Sequence, residues 1–344
     1  MQKRPGKRED LCRWLHATGL QRAIGHLPRR DCLLVLNYHR LGDADSATYD
    51  SEVFSATPQA FESQMEFVAR HLHPVSLDES VAWAGGNADG KYSGLRTLIT
   101  FDDGYVDNFE FARPVLRRLG IQGVFFLPTA FIGTRIIPWW DSIAYMMRNA
   151  RRKRFSLDYP VELDVDIESI GCAQATSRVL GTYKLPAMTD PARFMDQVET
   201  ATHCPRPEAT GERCFMNWDE SRTMVRDGMA IGAHTHTHRL LGSLPEEEQL
   251  EELLVPRSLL RENAGVESDA LAYPVGLPTS FTGRTMLLAA QAGYRAAFSF
   301  YGGVNRRGRV NRFDIRRVSP EYGQSVERFQ TQTTMAAVAG RYWP

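Results

Sequence analysis

Thr97-Leu98-Ile99-Thr100-Phe101-Asp102-Asp103-Gly104 decides the fold: an apolar run of strand length ends abruptly on two carboxylates and a glycine. The same design recurs along the chain. Leu33–Tyr38 runs into His39, Met229–Ala233 into His234-Thr235-His236-Thr237-His238, and Ala270–Tyr273 into Pro274-Val275-Gly276. Gly123–Leu127, Ala296–Ser299 and Ile315–Val318 are further runs of strand length. Between the runs lie stretches with helical spacing, such as Pro58–Arg70, Tyr105–Leu119, Asp219–Arg226, Pro245–Glu262 and Arg284–Ala292. This alternation predicts an α/β fold of strands joined by helices. In barrels of that kind the carboxyl ends of the strands carry the site, so four separate loops are expected to converge on one face.

Composition agrees with a folded chain. Of 344 residues, 43% are apolar and 24% charged, which excludes disordered, collagen-like and disulfide-scaffold classes. A chain this long buries about three quarters of its unfolded surface. Lys+Arg and Asp+Glu are both 41, so no global field draws in nucleic acid. Five cysteines without a C-x-x-C pair suggest neither a disulfide framework nor a thiolate zinc site, and fit a reducing compartment. No run approaches the roughly 18 apolar residues of a membrane helix, and Arg13, His16, Arg22 and His26 interrupt the start where a secretion signal would need an apolar stretch. The expected location is cytoplasmic.

Charge is uneven all the same. Residues 1–30 carry Lys3, Arg4, Lys7, Arg8, Arg13, Arg22, Arg29 and Arg30 against Glu9 and Asp10, a local net of +6. Leu11, Trp14, Leu15, Leu20, Ile24 and Leu27 recur there at roughly helical spacing. A basic amphipathic arm is therefore expected, either packed on its own domain or lying on an anionic membrane surface. Residues 31–330 form the main unit and 331–344 a C-terminal tail. Residues 139–215 break the rhythm and read as an insertion over the barrel mouth. It opens on Trp139 and Trp140, which form either a platform for a sugar ring or an anchor for the insertion.

Two adjacent carboxylates after a strand point in different directions, so one can ligate a cation while the other stays free to take a proton. Asp-Asp-Gly alone is also a common turn. The histidine segment changes the reading. In an extended segment, histidines two apart share a face; in a curled loop the first and fifth meet instead. Neutral imidazoles plus one carboxylate make a three-ligand set for zinc that leaves a position open.

Thr100–Tyr105, His234–His238 and Tyr273-Pro274-Val275-Gly276 resemble, in order, the first three motifs of the polysaccharide deacetylases, carbohydrate esterase family four, with the NodB-homology fold. The resemblance covers about residues 33–320, less much of the insertion. It implies a distorted (β/α) barrel of about seven strands, and a divalent metal, usually zinc with cobalt as an alternative, held by Asp103, His234 and His238. Asp102 would be the general base. The backbone N–H at Val275 would face the tetrahedral oxyanion, with Tyr273 of the same motif near the substrate. Metal chemistry agrees with hydrolysis, since a bound cation polarises a carbonyl and lowers the pKa of its water from 15.7 towards about 7.

The sequence departs from the family pattern twice. Ala272 stands where an arginine usually orients the base, and Arg317 is the candidate replacement. No histidine follows His238, so the usual late source of the general acid is missing. A departing amine must be protonated. His39 is the candidate by position, and in this the chain resembles the deacetylases of poly-N-acetylglucosamine. The expected substrate is a glycan or lipid-linked glycan bearing N-acetylhexosamine. The alternatives are an amidohydrolase of small ureides or cyclic imides on the same fold, or a glycan-binding module whose catalytic set has decayed. His236 is expected behind the site, with Thr235 and Thr237 holding the loop.

Overall fold

The structure is a computed structural model that describes residues 7–27, 30–87, 92–209 and 213–342. Seven strands, all parallel, make the barrel: β1 (Cys32–Tyr38), β2 (Leu95–Phe101), β3 (Gly123–Leu127), β4 (Ala230–Ala233), β5 (Ala270–Ala272), β6 (Ala296–Ser299) and β7 (Ile315–Arg316). They lie side by side in chain order within a nine-stranded sheet, whose other two members are the short pairings of His73–Pro74 on β2 and Asn305–Arg306 on β1. A parallel bridge from Leu36 to Val318 closes the ring, with Asn37 N donating to Val318 O at 2.8 Å and Val318 N to Val35 O at 2.9 Å. The expected strands are therefore present, each within about two residues of its predicted ends.

Period-two alternation assigns the two faces of this sheet. Leu33 and Val35, Leu98, Val124 and Phe126, Ala270 and Ala272, Ala296 and Phe298, and Ile315 come from strands all round the ring yet form one apolar cluster, so they fill its interior. Continuing each series by two residues reaches Asn37, Thr100 and Arg317. These polar side chains are fully buried and cap the apolar layers at the carboxyl end. The other face packs under helices whose starts are marked in the sequence. Thr57 caps Pro58–His71 with proline at the first position, and Asn217 and Glu220 form a capping box on Trp218–Arg226.

Two expectations need correction and one needs an addition. Tyr105–Leu119 is not one regular helix: residues 108–112 form a π-helical turn before the α-helix Arg113–Leu119. Residues 139–215, which break the strand–helix rhythm of the sequence, nevertheless hold a strand pair, the antiparallel hairpin of Arg154–Leu157 and Leu163–Asp166. Around it the helices Trp139–Arg148, Cys172–Tyr183 and Pro191–Thr202 build a second apolar cluster that rests on Tyr105, Phe131 and Leu240 of the barrel. Finally, residue 331 falls inside the helix Val326–Ala339, whose Phe329, Ala336 and Ala337 join the main core, so the C-terminal residues are no tail.

Helices Lys7–Ala17 and Leu20–Gly25 of the basic arm dock on that C-terminal helix. Cys12 and Gln21 are buried, and Gln21 Nε2 donates to Thr334 Oγ1 at 2.9 Å. Leu11, Trp14, Leu20 and Leu27 remain exposed. Lys3, Arg4 and Arg29 lie outside the described residues. No helix among the described residues is long and apolar enough to cross a membrane.

Candidate metal centre and active site

The loops after β1, β2, β4 and β5 meet at the carboxyl rim. The backbone there is strained: of five non-glycine residues with positive φ among the described residues, four are Asp103 (70°), Thr235 (63°), His238 (58°) and Val275 (63°). For β-branched Thr and Val this is a costly conformation that persists only when the surroundings enforce it, and such strain gathers at functional sites.

Asp103, His234 and His238 offer three buried ligand atoms within 4.8 Å of one another. Asp103 Oδ1 lies 3.5 Å from His234 Nε2 and 3.3 Å from His238 Nε2. Bonds of about 2.0–2.1 Å at tetrahedral angles set donors about 3.3 Å apart, so the spacing suits zinc. The chemistry of the donors agrees. His234 Nδ1 is 2.8 Å from the carbonyl of Ala272, which fixes the tautomer that points Nε2 inward, and Asp103 Oδ1 is buried without a hydrogen-bond partner. Burial, followed by the neighbouring Asp102, pushes the Asp103 carboxyl well up, and burial pushes both imidazoles down. A divalent cation reverses the first effect and is served by the second, since it binds carboxylate and neutral imidazole.

Asp102 lies beside this set in a different electrostatic setting. Arg317 clamps it through both oxygens, Nη1 to Oδ1 at 2.7 Å and Nη2 to Oδ2 at 2.8 Å. Arg317 is wholly buried, with Nε donating to Ser299 O at 3.0 Å, so it is no surface arginine. It enters from β7 where the family pattern would bring a guanidinium from position 272. Burial alone would raise Asp102, but Arg317, then His234 and His39, outweigh it and hold the carboxyl well below the usual carboxylate range. Asn37 completes the clamp. Its Nδ2 donates to Asp102 Oδ2 at 3.1 Å, while its Oδ1 accepts from Arg317 Nη1 and Thr100 Oγ1.

His39 Nε2 lies 3.9 Å from Asp102 Oδ2, and Asn108 Nδ2 holds the His39 carbonyl at 2.7 Å. Burial, opposed by Asp102, pushes the His39 imidazole down to about 4, so it is neutral at pH 7. The Val275 N–H has no hydrogen-bond partner among the described residues. Thr235 Oγ1 accepts from His238 N at 3.1 Å, and His236 turns away to Thr129 Oγ1 at 2.9 Å.

Three candidate substrate contacts, Trp139, Trp140 and Tyr273, are packed away from the open site. Trp140 is buried, with its Nε1 bonded to Tyr105 OH and its ring against His238, while Trp139 stacks on Tyr183 with centroids 3.9 Å apart. The pair anchors the insertion and offers no open platform. Tyr273 is wholly buried, stacked on Phe281 and bonded to Phe313 O, so it serves the core.

Several site residues were not singled out from the sequence. Alternation along β1 carried the signal for Asn37. Glu252 had none, being one of many acidic residues on the helix Glu246–Ala264. Its carboxylate accepts from His236 N and Thr237 N, both at 2.9 Å, and from the Thr237 hydroxyl, pinning the histidine loop from behind. Asp141 Oδ1 accepts from Asp50 N at 3.1 Å and Arg148 reaches the carbonyls of residues 47–49, so the insertion grips the loop after β1. Burial pushes Asp141 up to about 7.

The family model for polysaccharide deacetylase matches residues 174–297, a span that contains the histidine loop and the Val275 loop. Among solved structures, the chain is similar to IcaB from Ammonifex degensii, with a TM-score of 0.57 and 19% identity over 91% of this chain and 99% of that one. It is similar also to the deacetylase PplD from Streptococcus pyogenes, solved with acetate, with a TM-score of 0.53 and 14% identity over 83% and 91%. For the deacetylase domain of BpsB from Bordetella bronchiseptica the TM-score is 0.50, with 16% identity over 86% and 98%. At these identities the likeness is one of fold. No curated protein matches the sequence. Residues 174–297 thus match the polysaccharide deacetylase family model, and the chain as a whole is similar in fold to these deacetylase structures.

Proposed function

We propose that this chain removes N-acetyl groups from N-acetylhexosamine residues of a glycan, using a divalent metal, zinc before cobalt, held by Asp103, His234 and His238. One observation carries the reading: a buried carboxylate locked in its ionised form stands beside three converging ligand atoms. When bound, the metal supplies Lewis acidity towards the acetamide carbonyl and acidifies water. Asp102, held ionised and immobile by Arg317 and Asn37, accepts the proton of the attacking water. The Val275 N–H, unpartnered and fixed by a strained backbone, donates to the developing oxyanion.

Collapse of the tetrahedral species breaks the C–N bond and needs a proton on the amine. His39 is neutral in the free protein, so it first has to gain one. Asp102, 3.9 Å away, is its nearest source once the base has been protonated. His39 then acts as a relay to the leaving nitrogen. His39→Ala is expected to slow acetate release from an N-acetyl oligosaccharide by about 10²-fold, and hydrolysis of a phenolic acetate by far less, because a phenolate leaves without help. Equal losses on the two substrates would remove His39 from this role.

The function itself is tested by acetate release from defined N-acetylhexosamine oligomers with zinc or cobalt supplied, against ring opening of small cyclic imides, together with metal analysis of the purified chain. Acetate from the oligomers, abolished by chelation and restored by zinc, supports the reading; imide turnover without acetate would replace it.

The substrate proposed for a cytoplasmic enzyme is a lipid-linked glycan, met at the membrane face. Exposed Leu11, Trp14, Leu20 and Leu27 on a basic arm support a peripheral contact there. The full chain is expected to sediment with anionic vesicles, and L11S/W14S/L20S to stay in the supernatant; equal sedimentation would count against the contact.

A further inference from the structure

The site opens into a cleft of about 860 Å³ between the helix Cys172–Tyr183 of the insertion, the loop after β1 and residues 319–322. His39 and Phe300 form its inner end. Among the described residues that line it, Lys184, which caps that helix, is the only lysine or arginine.

Its placement is unusual for this protein. The sequence holds five lysines among its 41 basic residues, so arginine is the default cation. Here an arginine would fork onto a carboxylate, as Arg317 does on Asp102, whereas an ammonium on a flexible stem need not. The Lys184 backbone N–H closes the helix on Gly181 O at 3.2 Å, but the side-chain ammonium makes no hydrogen bond and no ion pair within 4.0 Å among the described residues. Its Nζ stands over the Trp139 ring, 6.0 Å from the centroid. Its charge is nevertheless felt at Asp50, Asp103, His39 and His238, which surround it at longer range. A half-buried ammonium held close to a reaction centre, with no protein acceptor, is a donor waiting for one.

The chemistry of the acceptor follows from the rest of the lining. Asp45, Asp50, Glu52 and Glu321 border the same cleft, and of these Glu321 is paired, to Arg328. With Glu321 balanced by Arg328, three carboxylates against one ammonium repel phosphate and carboxylate groups. Hydroxyl and amide oxygens suit Lys184, and sugar hydroxyls can donate to the carboxylates in turn. Ser51, Ser55 and Ser177 add groups that both give and accept.

We infer that Lys184 is a substrate-binding residue supplied by the insertion, donating to an oxygen of an uncharged N-acetylated sugar in the cleft beside His39. The inference rests on the deacetylase reading and names the class of glycan that reading left open: neutral N-acetyl sugars, with chains bearing uronate or phosphate discriminated against. Lys184 has no part in the bond-breaking steps.

The test is steady-state acetate release from a neutral N-acetylglucosamine oligomer by the zinc-loaded full chain, Lys184→Met and Lys184→Arg. A hydrogen bond to a charged donor is lost in K184M, so KM should rise about 10- to 100-fold with a much smaller change in kcat. K184R should recover little, because a planar guanidinium does not reproduce the donation of a compact ammonium on a flexible stem. A uronate-containing oligomer should compete with the neutral one at least about tenfold more weakly against wild type, and that gap should not narrow in K184M. Unchanged KM in K184M, a fall in kcat with no change in KM, or equal competition by the uronate oligomer would each overturn the inference while the deacetylase reading stood. Absence of acetate release from every oligomer by the wild-type chain, with zinc bound at one per chain, would overturn both.

Discussion

Asp102→Asn is expected to cut acetate release by about 10²–10⁴-fold while the chain still binds one zinc. The substitution keeps the shape and one carbonyl oxygen but removes the basic lone pair that takes the proton. None of the three ligand atoms is touched, so metal content, measured on the dialysed variant, should match wild type. The fold pays part of the cost. Arg317 is wholly buried and Asp102 is its charge partner, so neutralising the carboxylate leaves an uncompensated guanidinium inside the barrel. Breaking such a pair from one side costs about 3–5 kcal/mol. D102N should therefore melt well below wild type, and rates must be compared at a temperature where both are folded. A variant with normal metal and normal turnover would remove Asp102 from the role of base.

Asp103→Ala and His238→Ala are each expected to lose the metal and, with it, all measurable turnover. With one of three protein ligands gone, the remaining two cannot compete with dialysis against a mild chelator. The check need not rely on activity. Wild type should melt higher with zinc than with chelator, by the linkage that gives about 2.7 kcal/mol at a hundred times Kd. D103A and H238A should melt at one temperature in both. Acid should weaken zinc binding in wild type as well. Asp103 has to lose its proton to solvent as the metal binds, and burial holds that proton to higher pH than usual, so affinity falls as pH drops. A zinc-dependent shift retained in D103A would remove Asp103 from the ligand set.

Much of this was legible in the sequence because strand-length apolar runs end on the chemistry they present. Leu33–Tyr38, Thr97–Phe101 and Gly123–Leu127 mark their strands by being, Asn37 apart, apolar or β-branched, as buried parallel strands are. Asp103, His234 and His238 were legible as a set because their types and order are specific. What escaped depended on distance in the chain. Arg317 could be named a candidate but not assigned, since 215 residues separate it from Asp102 and only closure of the ring joins them. Glu252 and Lys184 look like ordinary helical charges until the helices are placed. The hairpin Arg154–Leu157 and Leu163–Asp166 was hidden because its outward positions are polar and only Phe155, Leu157 and Val165 are buried. For Trp139 and Trp140 the sequence left a sugar platform and an anchor open, and here they fill a second core.

The bridge between Leu36 and Val318 has a bearing on when the enzyme becomes competent. A ribosome that has released the chain only as far as β6 has delivered every proposed ligand, the proposed base and the relay histidine. It has not yet delivered the guanidinium that keeps the base charged, nor the edge that seals β1. Competence is thus the last thing synthesis confers, and a product cut short in that interval would be an open sheet with its chemistry in place and its electrostatics undone.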